Sequence, residues 1–140
     1  MAKTNFYLPI QIRYADLDPQ RHVNHARILS LMEHAHTQYL IKLGLFDGKT
    51  FSEFPTIVAN INVSYLQPIE PDQKIAASVK VIRIGNKSIT YRVELVDENS
   101  GQVMANCETV TVAYDYHNKR SMSVPQAWRD TISQFEGVSL

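Results

Sequence analysis

The sequence predicts an α+β fold in which one long antiparallel sheet wraps around a single central helix. Three observations carry this. Only residues 26–43 keep helical spacing over enough turns to fill a core. Several β-patterned runs follow that stretch. No helix–strand alternation separates those runs, which excludes a doubly wound parallel sheet.

Tyr7 to Tyr14 alternates, with Leu8, Ile10, Ile12 and Tyr14 on one side and Pro9, Gln11 and Arg13 on the other, the pattern of a short half-buried strand. Ala15 to His25 then collects Asp, Pro, Asn and His, which is loop chemistry. From Ala26 the period changes: Ile28, Met32, Ala35, Tyr39 and Leu43 share a face, and Leu29, Leu31 and Leu40 widen it. A stripe this broad is expected to be largely buried. Asn24 suits the N-cap, and Gly44 suits the left-handed residue that closes the helix. At 1.5 Å per residue the helix would be roughly 27 Å long.

Everything after Phe54 reads as β. Ile57, Ala59, Ile61, Val63 and Tyr65 alternate with Asn60, Asn62 and Ser64 until Pro68 and Pro71 interrupt. Lys74 to Ile84 and Ser88 to Val96 are joined at Gly85-Asn86, and Val103 to Tyr116 follows the turn Asn99-Ser100-Gly101. Short turns between adjacent runs predict a meander. Beyond His117, a loop bounded by Pro125 leads to a short helical turn around Trp128.

A chain of 140 residues fits one domain spanning residues 1–140, large enough to bury a core without staples. Lys plus Arg and Asp plus Glu number 14 each. Neither half of the chain is unbalanced, so nothing resembles a nucleic-acid-binding stripe or an acidic tail. Cys107 is the single cysteine, which excludes an intrachain disulfide and suits a reducing compartment. Met1 to Asn5 lacks the apolar stretch of a signal peptide, and no apolar run is long enough to cross a membrane. A soluble cytoplasmic protein is expected, with neither nucleic acid nor membrane as partner.

The chemistry gathers in Ile12-Arg13-Tyr14-Ala15-Asp16-Leu17-Asp18-Pro19-Gln20-Arg21-His22-Val23-Asn24-His25, between the first strand and the helix. A helix start presents unpaired N–H groups and a partial positive charge, which polarise a carbonyl and stabilise the oxyanion formed when it is attacked. A carboxylate just ahead of it can attack an acyl carbon or activate a water. That suits acyl transfer. Asp16 reads as structural, holding the loop through backbone hydrogen bonds. His22 and His25 alone make a poor zinc site, and His34 and His36 point to different sides of the helix, so no metal is expected. Glu33 stands more than two turns into the helix, roughly 12 Å from His25 along the axis, and reads as a buried or interface carboxylate held by hydrogen bonds.

The run Tyr14-Ala15-Asp16-Leu17-Asp18 through His22-Val23-Asn24 resembles the signature of the 4-hydroxybenzoyl-CoA thioesterase family: an aromatic residue, Asp-x-Asp, a Gly about three residues on, then His-Val-Asn-Asn and a helix. Glu33, the turn Gly85-Asn86-Lys87-Ser88, the segment Asp115 to Pro125 and the strand order extend the likeness over residues 7–128. The resemblance implies a hot-dog fold and hydrolysis of an acyl-CoA thioester without a cofactor. It makes Asp18 the catalytic carboxylate and gives the oxyanion-stabilising amide to His25. From the residues themselves, Asn24 reads first as the N-cap and second as a substrate-orienting group, and His22 as loop packing or as a group that orients Asp18 or the thioester. Lys87 lies near a position that contacts the nucleotide phosphates in relatives, with Arg83 and Ser88 as neighbours. A homodimer or homotetramer with active sites between subunits is implied too.

Arg21 stands where the family has Gly, His25 where it has the second Asn, and Ile28 where it has an aromatic residue. Arg lacks the backbone freedom of Gly, so the loop's path is where a change is expected. Two other readings follow from the same residues: an acyl-CoA binding protein without turnover, and a hydratase or dehydratase using Asp18 and His22 as an acid–base pair.

Overall fold

The computed structural model describes residues 4–140; the part of the signal-peptide reading that concerns Met1 to Lys3 lies outside them. Strand β1 spans Tyr7–Ile10, helix α1 His25–Lys42, β2 Thr56–Tyr65, β3 Ile75–Ile84, β4 Ser88–Asp97, β5 Val103–Asp115, β6 Arg120–Ser121 and helix α2 Gln126–Glu136. Single 3₁₀ turns occupy Tyr14–Asp16 and Phe51–Glu53. The sheet runs β1-β3-β4-β5-β2, every pairing antiparallel, with β6 added to β5.

The expected sheet around a helix is present, with its boundaries within a residue or so except in four places. The first strand stops at Ile10, opposite Ile75 where β3 begins, because beyond it β1 has no partner. Tyr14, expected on the buried side, is 93% exposed in the 3₁₀ turn. The meander holds only for β3-β4-β5. β2 pairs with β5 at the far edge, so residues 66–74 cross back beneath the sheet's end, with Ile69 fully buried on the way.

The third correction concerns α1, which buries Ile28, Leu31, Met32, Ala35, His36, Tyr39 and Leu40 and leaves its other side open. One sheet covers one side of a helix, so α1 is amphipathic rather than largely buried. Its caps follow the sequence. Asn24 Oδ1 accepts from Ala26 N at 2.9 Å. At the other end Gly44 has φ +75°, and the bonds Gly44 N to Ile41 O (3.0 Å) and Leu45 N to Leu40 O (2.9 Å) close a Schellman motif.

The fourth is α2, expected as one turn and found as eleven residues. Trp128, Ile132 and Phe135 lie on its inner side; Ile132 is fully buried, and Phe135 meets Tyr39 edge-on at 5.6 Å. Glu136 reaches inward, accepting from Tyr39 Oη (2.5 Å) and from Val81 N (3.1 Å), where β3 is bulged and its ladder interrupted. The core lies between α1 and the inner faces of β3 and β4: Val79, Ile89, Tyr91, Val93 and Leu95 are at most 2% exposed. Each such side chain contributes on the order of 1.5–3 kcal/mol by leaving water.

β2 is different. Ile57, Val58, Ile61, Tyr65 and the following Leu66 are all more than 40% exposed, on a ten-residue strand with one edge unpaired. Such an edge is a template for another strand.

Candidate active site

The loop between β1 and α1 is closed at its neck by a bridge between Leu17 and Val23. Asp16, only 1% exposed, anchors one side of it. Its Oδ2 accepts from Arg13 N at 2.8 Å, its Oδ1 pairs with Arg13 Nη2 at 3.2 Å, and its carbonyl accepts from Asn24 N at 2.8 Å. Burial pushes this carboxyl's pKa up. The Arg13 amide and guanidinium outweigh it, with Arg27 adding to their effect, and hold the group below the ordinary carboxylate range. On the other side Val23 N donates to Ile69 O at 2.9 Å, tying the loop to the crossing segment.

The tip is a tight turn. Arg21 N donates to Asp18 O (2.9 Å) and Asp18 N to His22 O (3.0 Å). Arg21 takes φ +65°. This is the left-handed conformation that Gly adopts freely and Arg only under strain, at the position where the family has Gly. Asp18 is half-buried. Among the described residues its carboxylate has one hydrogen bond, from Gln20 N to Oδ1 at 3.0 Å, and no ion pair.

The start of α1 follows directly. Asn24 caps Ala26 N, while the His25 N–H has no acceptor among the described residues. Tyr65, at the end of β2, donates its hydroxyl to His25 O at 3.2 Å and sets its ring edge-on to the imidazole, 6.1 Å between centroids. A carboxylate with a free oxygen therefore stands on a braced turn ahead of an unclaimed helix-start amide. That pairing suits attack at an acyl carbon with the oxyanion turned towards the helix. Asp18, Asn24 and His25 share this region. His22 does too, but its side chain makes no hydrogen bond to Asp18.

The other predicted residues lie elsewhere. Arg83, Lys87 and Ser88 sit at the β3–β4 turn, where Gly85 N donates to Ser88 O at 2.8 Å and Arg83 Nη2 contacts Thr90 Oγ1 at 3.5 Å. The Asp18 loop leaves β1 beside Ile75, at the opposite end of β3. Ten residues of strand separate the two places, roughly 30 Å. One protomer does not bring them together.

A groove runs between α1 and the exposed strand β2, and sequence reasoning does not place its helix side, Leu29, Met32 and His36, at a site. Leu29, Met32, Glu33, His36 and Thr37 line it from the helix, Val58 and Ile61 from the strand, and Phe51 and Phe54 close its far end. It comprises an inner cavity of about 50 Å³ and an outer cleft of about 410 Å³. Glu33, expected as a buried or interface group, is exposed at its mouth because it lies off the α1 stripe that faces the sheet, while His36 is buried. The helical period places His36 one turn from Met32 and Leu40 on the buried stripe, a signal that could have found it.

The chain matches the model of the thioesterase-like superfamily over residues 12–132. Long-chain acyl-CoA thioesterase FadM of Escherichia coli is 26% identical over 125 residues, 89% of this chain and 95% of that protein. A thioesterase of Thermus thermophilus, solved with coenzyme A and Zn, superposes with a TM-score of 0.85 at 28% identity over 98% of both chains. A 1,4-dihydroxy-2-naphthoyl-CoA thioesterase of Synechocystis, 17% identical, shares the fold, with a TM-score of 0.80 over 91% of this chain and 94% of its own. The zinc of the Thermus protein has no ready counterpart here, since among the described residues no three His, Cys, Asp or Glu side chains gather to hold a metal. Among the same residues no helix is long and apolar enough to cross a membrane. With one antiparallel sheet curled about α1 and a family match over most of its length, the chain belongs to the thioesterase-like superfamily and has its hot-dog fold.

Proposed function

We propose that this thioesterase works as a single hot-dog domain that hydrolyses long-chain acyl-CoA to the carboxylic acid and free coenzyme A, with Asp18 as the acting carboxylate. The observation that carries this is the half-open Asp18 side chain on its braced turn, next to the unclaimed His25 amide. Asp18 takes a proton from a water, the hydroxide adds to the thioester carbon, and the charge on oxygen is met by the start of α1. Collapse then breaks the C–S bond and releases coenzyme A as thiolate. Direct attack by Asp18, through an anhydride that water opens, uses the same groups. Asn24 holds the helix start in shape, and His22 and His25 flank the reacting carbon. No resident cofactor enters the scheme. The acyl chain lies in the groove along α1, whose length and apolar lining fit a long aliphatic chain and agree with what the FadM relative acts on.

The second element of the proposal is a homodimer formed across β2, which two such dimers can extend to a tetramer. The exposed apolar side chains and the unpaired edge of β2 support it. A twofold axis pairs β2 antiparallel to its copy, which turns the Lys87 end of one protomer towards the Asp18 end of the other. Lys87, Arg83 and Ser88 then serve the nucleotide phosphates of a substrate whose thioester lies in the partner's loop. The buried, single Cys107 suits a reducing cytoplasmic setting.

The absence of a hydrogen bond between His22 and Asp18 disfavours an acid–base hydratase, and the closed turn that the left-handed Arg21 keeps around Asp18 disfavours a site that has decayed to binding alone. The test is thiol release from short, medium, long and aromatic acyl-CoAs, with Asp18→Asn beside wild type. Long-chain turnover that the variant lacks supports the proposal, and an active variant removes Asp18 from it. Sedimentation tests the dimer: Ile61→Lys should shift wild-type mass to that of a monomer and lower activity with it.

A further inference from the structure

The turn between β3 and β4, Gly85-Asn86-Lys87-Ser88, is fastened from outside by α2 and the residues that lead into it. Arg129 Nη2 donates to Gly85 O and, at 3.2 Å, to Asn86 O. Val124 N also donates to Asn86 O, at 2.9 Å, and Ala113 N of β5 donates to Lys87 O at 2.8 Å. Three successive carbonyls of the turn are therefore held, two of them by one guanidinium. The Asn86 and Lys87 N–H groups have no acceptor among the described residues. Free donors are what an anion uses, while a carbonyl turned towards it repels it.

The guanidinium keeps its whole charge. Its neighbour Asp130 accepts from Gln126 Nε2 at 2.9 Å, and among the described residues ion pairs join only Arg13 to Asp16, Lys74 to Glu98 and Arg92 to Glu108. Arg83, Lys87 and Arg129 thus bring three unpaired cations to this end of the sheet, in a chain of no net charge. Water would serve surface carbonyls as well as Arg129 does. What the side chain adds is charge and a fixed direction.

That direction is fixed because α2 is pinned twice along β3. Ile132 is fully buried, and Glu136 accepts from Val81 N at 3.1 Å. From Arg129 to Glu136 is roughly 10 Å of helix, and from Val81 to Gly85 roughly 13 Å of strand, so the two spans nearly match. The helix lies along β3 as a brace with Arg129 at the turn.

We propose that Arg129 is a positioning residue for the nucleotide end of the substrate: it holds the Gly85 and Asn86 carbonyls back, leaves the Asn86 and Lys87 amides free, and adds its charge to those of Lys87 and Arg83 where the coenzyme A phosphates bind. This rests on the reading of Lys87, Arg83 and Ser88 as the phosphate site. The thioester lies far from the turn. Arg129 therefore governs recognition of the carrier, coenzyme A against a bare pantetheine arm, and not the breaking of the C–S bond.

The experiment measures thiol release from lauroyl-CoA and from lauroyl-pantetheine, which keeps the thioester and lacks the nucleotide with its phosphates. Arg129→Met should raise KM for lauroyl-CoA by about ten-fold, the loss of a hydrogen bond from a charged group, with kcat and the pantetheine ester as in wild type. Arg129→Lys keeps a cation at the turn and should recover part of the loss. Equal losses with both esters make Arg129 a mere prop, and no loss with either makes the turn independent of it; both overturn the proposal. Lys87→Ala, measured alongside, tells the two readings apart. A coenzyme-specific loss in Lys87→Ala but not in Arg129→Met leaves the phosphate site standing without Arg129. No specific loss in either variant removes the site, and the proposal with it. Should Arg129→Met fail to fold, Arg129→Gln, which keeps a donor and drops the charge, is read in its place. If neither ester is hydrolysed, calorimetric binding of coenzyme A decides: affinity weakened about ten-fold in Arg129→Met upholds the proposal, and equal affinity overturns it.

Discussion

Residues 13–17 and 18–22 are consecutive halves of one loop, each with one aspartate, and they are built in opposite ways. In the first, Asp16 is buried, both of its oxygens are taken by Arg13, and its carbonyl receives the amide of Asn24. In the second, Asp18 is half-buried and accepts one bond, from Gln20 N. The clamp fixes the position of the turn, and the turn presents a carboxylate with an oxygen to spare. A reacting group must be held from one side only. If Asp18 reacts as proposed, its stiffness comes from the clamped Asp16 beside it.

The largest expected effect lies in the open half. Asp18→Asn should lower kcat/KM by about 10²–10⁴-fold, the usual contribution of a placed acid or base, while the thermal midpoint stays where it was. A drop in the midpoint of the same variant would make Asp18 a second clamp and erase the contrast.

The core extends the comparison, since His36 is a buried polar group with no clamp at all. Its pKa is held near 4 in the folded chain by burial and returns to about 6.5 on unfolding. A depressed folded value means that stability is complete above about pH 6.5. As pH falls towards about 4 the unfolded chain takes up a proton that the folded chain refuses, a loss on the order of 3 kcal/mol. Urea unfolding of wild type and His36→Leu across that window should show a slope in the first that the second lacks.

Asp16→Asn should destabilise by about 1–2 kcal/mol, because charge-assisted bonds are lost and a buried amide replaces them. The sign of its pH dependence follows from its lowered pKa: the contribution is present above the ordinary aspartate range and disappears as pH falls through the folded value. The gap between wild type and variant therefore narrows on acidification. Activity should fall only as far as the turn loosens.

The smallest effect belongs to Arg21→Gly. Removing a side chain from φ +65° relieves roughly 1–2 kcal/mol of strain and adds chain entropy worth roughly 0.5–1, for a net gain of about 0.5 kcal/mol. A measured loss would mean that the Arg21 side chain itself braces the turn.

Local patterns were readable where each residue's neighbours in sequence are its neighbours in space. The helix, its Asn24 and Gly44 caps and the β3-β4-β5 hairpins are of this kind. Tyr14 was misplaced because alternation continues past the point where β1 loses its partner, and pairing is not written in one strand. The path of β2 across the sheet's end is likewise a property of distant strands. α2 was underestimated although Trp128, Ile132 and Phe135 keep helical spacing and Gly137 ends it at φ +73°. Its apolar face is clear but short, about three turns against the five of α1. At the site, Asp16, Asp18 and Asn24 stood out by type and by position before a helix. The helix side of the groove did not, because it faces an edge strand that meets it only after folding.

The contacts of Glu136 also bear on when the molecule can finish folding. Tyr39 emerges from the ribosome 97 residues ahead of the carboxylate that its hydroxyl binds, and Val81 55 residues ahead. Sheet and helix can therefore assemble during synthesis with a bulge in β3 whose amide is still wet. Closing that end waits for the last turn of α2, a long-range contact that carries a loop-closure entropy of its own. A stalled chain ending before Glu136 would display a nearly formed core with one seam open to solvent, the state that proteases and chaperones meet first.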